Sequence, residues 1–296
     1  MTRPLPERLF RMGLIDLILN LCALLLWLSW RSRRFDPWHR ATPATLAGTL
    51  KRTQPSRVRG WQMLLTLALL LTGRAAIYWG IGAPAGWNGR LDLGLVVLTF
   101  RSDILATATL FSLLSFLQVL VVVYFWLAVL ATVNEPAGDS EPISKLIRLH
   151  LGRLMRWPWW LRLGLPLLLT AALWLALHPL LTYLHVTTHP RAFSHLLGQG
   201  ALIALGLVVS LKLVLPLFLF LHLVVSYVYL GRSPIWEFIS LTARHLLVPL
   251  RRLPLRKGKL DFAPVVGVLL IYVALHWLPE FLVRQLDARN LTLWPQ

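Results

Sequence analysis

Two residues of opposite charge stand inside apolar runs, at nearly the same distance from a tryptophan. Asp16 precedes Trp30 by 14 residues and Arg74 follows Trp61 by 13. If both tryptophans mark one membrane face, a rise of ~1.5 Å per residue sets both charges about 20 Å from it. A charge at the bilayer centre costs at least ~2.5 to 3.5 kcal/mol on insertion scales, so such groups seek partners. The spacing predicts an Asp16 to Arg74 ion pair, with Asn20 one turn away, that joins the first two spans as structural glue.

Histidine supplies the second chemistry. His178 and His276 close matched Ala-Leu-His sequences at 176–178 and 274–276, in the outer half of two spans, and His222 falls in the inner half of another. Paired intramembrane imidazoles could ligate haem or relay protons. Hydrogen bonding between packed helices is the commoner use and the expected one. His185 and His189 have the i,i+4 spacing of zinc ligands and His195 is near, yet no carboxylate or cysteine completes a set, so no metal site is expected. The single Cys22 excludes an intrachain disulfide or thiolate cluster. Gly80-Ile81-Gly82 with Gly86 ends an apolar run and follows no strand, which fails as a dinucleotide fingerprint. Serine-hydrolase elbow, HExxH and P-loop sequences are absent. No catalytic residue and no cofactor is expected, and the chain reads as a non-enzyme.

Those polar residues need elements to hold them, and composition says which. The 296 residues are 57% hydrophobic and 14% charged, with mean hydropathy +0.65. Soluble domains run at about 45 to 50% apolar and about 25% charged. Six runs reach the roughly 17 to 25 residues that cross the ~30 Å hydrocarbon core. They are Leu14 to Trp30, Trp61 to Ile81, Ile104 to Val133, Leu163 to Leu184, Ala201 to Leu230 and Phe262 to Leu282. The third and fifth exceed the need and should tilt or begin at the interface. Lys212 and Pro216 interrupt the fifth, where a kink is expected. The expected fold class is all-α, a polytopic membrane protein of about six transmembrane helices with amphipathic interfacial helices in the cytoplasmic loops.

The net charge of +18 is distributed unevenly. Of 30 Lys and Arg, 8 lie in Arg31 to Gly60, 5 in Asn134 to Arg162 and 7 in Gly231 to Leu260. These alternate loops belong in the cytoplasm by the positive-inside rule, with both termini outside, in the inner (plasma) membrane. Arg3, Arg8 and Arg11 oppose this assignment for the first span, which carries no small-residue cleavage site after it. Basic loops of this kind attract anionic phospholipid by about 1 kcal/mol per residue near the surface. A basic excess alone is only an electrostatic footprint, and nucleic acid is not expected as a partner.

A duplicated unit organises the chain. Pro166 matches Pro264 at the 98-residue offset of the two Ala-Leu-His sequences, and Pro142 matches Pro234 at 92, which puts a short insertion around Arg256 to Lys259 in the second copy. Each copy crosses twice, so the copies are parallel repeats. The expected domains are an N-terminal two-span region at 1–103, a first hairpin at 104–190 and a second at 191–296. In the last loop Ser233 caps a helix with Pro234 at its first position and Glu237 in its first turn. Ile235, Phe238, Ile239, Leu246, Leu250 and Leu253 then share one face, with Glu237, Ser240, Arg244 and Arg251 on another. The first copy sets Ile143, Ile147, Leu151 and Leu154 against Lys145, Arg148 and Arg156, and ends at an anchor, Trp157-Pro158-Trp159-Trp160. Both read as helices lying in the interface plane. Arg148, Arg156, Arg244, Arg251 and Arg252 are the expected lipid-phosphate contacts. Pro249 ends the second amphipathic helix, and Asp261 caps the last span, whose first turn holds Pro264.

Pro234, then Pro249-Leu250-Arg251-Arg252-Leu253-Pro254, then Gly258 and Leu260-Asp261-Phe262-Ala263-Pro264, resembles the signature of the YggT (YlmG) family of small integral membrane proteins. The likeness covers Tyr227 to Leu270, with a diverged copy over Phe125 to Leu184. Leu163 stands where Asp261 stands in the second copy, and Ala263 replaces the family's more usual Ser. The resemblance implies a multi-pass protein without established catalysis, linked to membrane-complex biogenesis, osmotic tolerance and cell-division gene neighbourhoods; plastid relatives are associated with assembly of a b-type cytochrome. The expected function is therefore a scaffold, assembly factor or accessory subunit of a membrane protein complex. Its expected partners are other integral membrane proteins and anionic phospholipid, and the chain could itself oligomerise. The alternative is an oligomeric channel or transporter for a small solute or ion, a plan that parallel repeats often serve. The spans lack the carboxylate sets that a coupling-ion site needs.

Overall fold

Lipid offers no hydrogen bonds, so a long apolar run must satisfy its own backbone, and a helix does this within one segment. All six runs are helical in the computed structural model, which describes residues 5–32, 60–85, 87–135, 142–187, 192–228, 231, 233–252, 256–257 and 260–288. The helices are α1 (Leu5–Ser32), α2 (Gly60–Ala85), α3 (Leu105–Val133), α4 (Pro142–Leu151), α5 (Trp159–Tyr183), α6 (Phe193–Tyr227), α7 (Pro234–Leu246) and α8 (Ala263–Ala288). All but α4 and α7 are long and apolar enough to cross a membrane, and the fold is an all-α polytopic one. The 35-residue α6 continues through Lys212 and Pro216. At ~1.5 Å per residue it measures about 52 Å, well beyond the hydrocarbon thickness.

The chain forms two compact units, Met1–Gly89 with Phe100–Leu120, and Arg90–Thr99 with Val121–Gln296. In the first, α1 packs on α2 around Ala23, Leu67, Leu71 and Phe116. In the second, α6 is the common neighbour of α5, α7 and α8. Helices α4 to α8 lie in the second unit, and α3 contributes to both units.

The amphipathic helices α4 and α7 pack against each other. Ile147 and Leu151 of α4 and Phe238 of α7 join Ala128, Leu130 and Ala131 at the end of α3. Leu219 of α6 meets Ala243, Leu247 and Ala263. Apolar faces expected at the lipid interface are therefore covered largely by protein, and Ile235 is the member of the α7 face that stays exposed. Ser233 accepts a hydrogen bond from the Ile235 amide at 3.4 Å, so Pro234 opens α7 as expected. Pro249 lies in a 3-10 turn, Val248–Arg252, just past the helix end.

Two short hairpins break the helical plan. Gly89–Asp92 (β1) pairs with Val97–Phe100 (β2), and Arg256–Lys257 (β3) with Leu260–Asp261 (β4). The second hairpin falls at the stretch where the sequence offsets predict an insertion. Asp261 is a strand residue opposite Arg256, and Phe262 supplies the first carbonyl of α8, accepting from the Val266 amide at 3.0 Å, which puts the cap position one residue later than expected.

Candidate functional site

The densest polar cluster of the described residues lies in the first unit, on facing sides of α1 and α2. Asp16 and Asn20 are one helical turn apart, as are Arg74 and Tyr78, so each helix presents a matched pair to its neighbour. Arg74 donates from Nη2 to Asp16 Oδ1 at 2.5 Å, from Nη1 to Asn20 Oδ1 at 2.7 Å and from Nε to the Tyr78 hydroxyl at 3.2 Å. The Tyr78 hydroxyl donates to Asp16 Oδ1 at 2.6 Å. Asn20 donates its amide to Ser115 of α3 at 2.9 Å and to Asp16 Oδ2 at 3.3 Å.

The Arg74 side chain is 0% exposed and that of Asp16 23%. Rings close over the cation, with its guanidinium carbon 5.4 Å from the Tyr78 centroid and 5.6 Å from that of Phe111. Trp87 packs on Tyr78 at 4.8 Å and on Phe111 at 5.8 Å. The guanidinium is a fixed cation with donors only, so every contact it makes must be to an acceptor. Each of its three nitrogens is already engaged by a protein group. The chemistry is that of a clasp: charge is neutralised, the aromatic shell excludes lipid and water, and two spans are held in register.

The sequence brings Asp16, Arg74 and Asn20 to one site. It did not flag Tyr78, Ser115, Trp87 or Phe111. Tyr78 was reachable, since it lies four residues from Arg74 on the same helix face. Ser115 was not, because nothing local ties one serine of an apolar helix to a partner 95 residues earlier.

In the second unit, Asn134 at the end of α3 donates to the Thr242 hydroxyl of α7 at 2.8 Å, and its Oδ1 lies 3.1 Å from His245 Nδ1. Next to it Glu135 accepts from Arg162 Nη2 at 2.8 Å, while Arg162 Nε donates to the Trp157 carbonyl at 2.6 Å. Both contacts stitch the amphipathic segments to the ends of the spans. Asn134, Ser144, Arg148 and Phe238 line a shallow cleft.

The matched histidines differ in environment. His178 is buried, with Nδ1 3.3 Å from Thr182 Oγ1 and its ring edge-on to Trp174. His276 is half-exposed, stacks on Tyr272 at 5.8 Å and sits 3.4 Å from Glu280, both on its own helix. The second copy has Glu280 one turn on where the first has Thr182. His222 lies in α6, while His185 and His195 flank a segment whose His189 falls outside the described residues. Among the described residues, no three His, Cys, Asp or Glu side chains converge as metal ligands would.

Of the expected lipid contacts, Arg156 and Arg244 are exposed and Arg148 is half-buried. The backbone of Arg251 and Arg252 lies in the 3-10 turn, and their side chains fall outside the described residues, as does that of Asp261. Pro234 is half-buried and Pro264 buried. Between β2 and α3, Arg101 pairs with Asp103 at 2.7 Å and holds its carboxyl below the ordinary carboxylate range. No protein-family model, curated protein or solved structure matches the chain.

Proposed function

We propose that this chain is a non-enzymatic integral membrane protein of the YggT type, acting as a scaffold, assembly factor or accessory subunit of a membrane protein complex. The observation that carries the reading is the closed Arg74 cluster: a fully buried cation has every nitrogen engaged by Asp16, Asn20 and Tyr78, which suits a fixed fastening and leaves no ligand position for a moving ion. Beside it stand broad apolar faces, with Leu168 and Leu169 of α5, Leu213, Leu217 and Phe220 of α6 and Leu269 and Leu270 of α8 all exposed. Such faces serve lipid and partner helices alike. The basic segments that carry Arg156 and Arg244 then rest on anionic lipid of the inner membrane leaflet, which orients the protein with both termini outside.

The test is extraction from the native membrane in a mild detergent, followed by identification of stoichiometric companions. Integral membrane proteins recovered at constant ratio support the reading. Saturable or voltage-dependent flux by the purified chain in proteoliposomes would overturn it.

A further inference from the structure

Lys212 is a cation on the exposed side of α6, and two contacts fix its depth. Gly267 of α8 touches Leu219 of α6, the Cβ position of Gly267 being 3.0 Å from a Leu219 methyl. Gly267 lies four residues into α8 from Ala263, and Lys212 lies seven residues from Leu219 in the direction away from the basic-loop end. At ~1.5 Å per residue, Lys212 is about 16 Å from the level of Ala263. Independently, Ser210 of α6 accepts from the Trp126 indole at 2.9 Å, and Trp126 stands eight residues from Asn134 at the end of α3. That ruler puts Ser210 at about 12 Å and Lys212, two residues nearer the basic-loop end, at about 9 Å. Both values for Lys212 fall inside a hydrocarbon layer ~30 Å thick, from about a third to about half of the way across.

From that depth a four-carbon stem carries the ammonium only part of the way to the nearer headgroup layer. Among the described residues Lys212 has no ion pair or hydrogen bond. Its neighbours one turn away on α6, Val208, Val209, Leu215 and Pro216, are apolar, and Leu213, Leu217 and Phe220 are exposed on the adjoining side of the helix. Charged residues at such depth pair with one another across helices. The complement is a carboxylate. A second copy of this chain is poorly equipped to supply it: in the candidate spans the carboxylates are Asp16, bound by Arg74, and Glu280, held between His276 and Arg284.

We infer that the Lys212 face of α6 docks a transmembrane helix of a different membrane protein, whose mid-span Asp or Glu pairs with the Lys212 ammonium while its apolar residues cover Leu213, Leu217 and Phe220. This rests on the scaffold reading and names the surface and the chemistry that such a scaffold uses.

The test uses the full chain in intact membranes and the lipid-soluble reagent dicyclohexylcarbodiimide, which activates a buried carboxylate. The Lys212 amine attacks the activated carbonyl, an amide bond forms, and the reagent leaves as its urea. Peptide mapping should find Lys212 joined to an Asp or Glu inside a span of another protein. Lys212→Leu should lower recovery of that protein at least ten-fold, and Lys212→Arg should retain it. Replacing the mapped carboxylate by Leu should reproduce the loss. A cross-link to Glu280 or Asp16 of a second copy, no cross-link at Lys212, or full recovery with Lys212→Leu each overturns the docking surface. Failure of the wild-type chain to bring any companion through extraction counts against the scaffold reading instead, since the cross-link is read before extraction.

Discussion

Removing Asp16 should damage the first unit more than removing Arg74, and the reason lies in what each deletion leaves behind. Asp16→Ala strands a guanidinium with no solvent exposure that cannot shed its charge. Arg74→Ala strands a carboxylate that is 23% exposed and can accept a proton. Breaking a buried ion pair from one side costs about 3 to 5 kcal/mol. Counting bonds gives a lower figure: polar contacts between helices in lipid are worth roughly 0.6 to 1.7 kcal/mol each, and Arg74 makes two across to α1, to Asp16 and Asn20, for about 1 to 3 kcal/mol before the cost of the stranded charge. Asp16→Ala is thus expected to destabilise by roughly 3 to 5 kcal/mol and Arg74→Ala by about 1 to 2 kcal/mol less. The double variant Asp16→Leu with Arg74→Leu should recover most of the loss, because no charge remains to be buried. Reversible unfolding in mixed micelles, followed as a double-mutant cycle, measures all three. A coupling energy near zero, or Arg74→Ala proving the more harmful single change, would refute the clasp.

Gly206→Ala should be among the most damaging small substitutions, since its Cβ would lie 1.9 Å from the Leu93 carbonyl oxygen at the tip of the β1–β2 hairpin. Overpacking of that kind costs about 1 to 3 kcal/mol or more, and Gly80→Ala, which has open space, should be neutral or mildly stabilising in the same thermal assay. Asn134→Ala removes a partner from both Thr242 and His245 and should cost about 1 to 3 kcal/mol, read as earlier exchange of α7 amides. For the exposed Arg101 and Asp103 pair, the folded carboxyl titrates below its unfolded value, so its small contribution is complete above the unfolded pKa and is lost as pH falls through the folded one. Arg101→Ala should move the Asp103 titration upward in a carboxyl-resolved NMR experiment.

The spans were legible because burial in lipid makes hydrophobicity and length nearly sufficient. The Asp16 to Arg74 pair was legible because two tryptophans supplied a ruler and the cost of an unpaired charge supplied the motive. The β1–β2 hairpin was not. Its sequence, Gly-Arg-Leu-Asp-Leu-Gly-Leu-Val-Val-Leu-Thr-Phe, alternates poorly after Gly94, and its turn depends on Gly94 at φ +91 and on Asp92 Oδ1 accepting from the Gly94 amide at 2.8 Å. What fixes it is distant: Gly206 of α6 admits the Leu93 carbonyl because it has no side chain. The amphipathic helices show the same limit. A pattern of apolar residues on one face specifies that the face is covered, and both lipid and the end of a neighbouring span meet that demand.

The matched stretches of the sequence make the limit instructive. Equivalent positions inherit the same residue but not the same neighbours, as the two Ala-Leu-His sequences demonstrate: His178 is enclosed beside Trp174 and Thr182, and His276 stands half-exposed with Glu280. The Pro142 and Pro234 helices diverge likewise, Leu151 of one packing in the Ala128 cluster while Ala243 of the other packs under Leu219 of α6. A pair of identical halves would bury identical groups and expose identical faces. Here the β3–β4 hairpin follows only the Pro234 helix and Trp157 to Trp160 follow only the Pro142 helix, so the two matched stretches differ in what they expose. Lys212 follows that rule: it belongs to α6, and the equivalent helix of the first copy, α3, carries no charge along its 29 residues. A cation within the apolar span of α6, with no counterpart in α3, carries a cost that a partner's carboxylate offsets, which is why α6 is the helix on which that carboxylate should be sought.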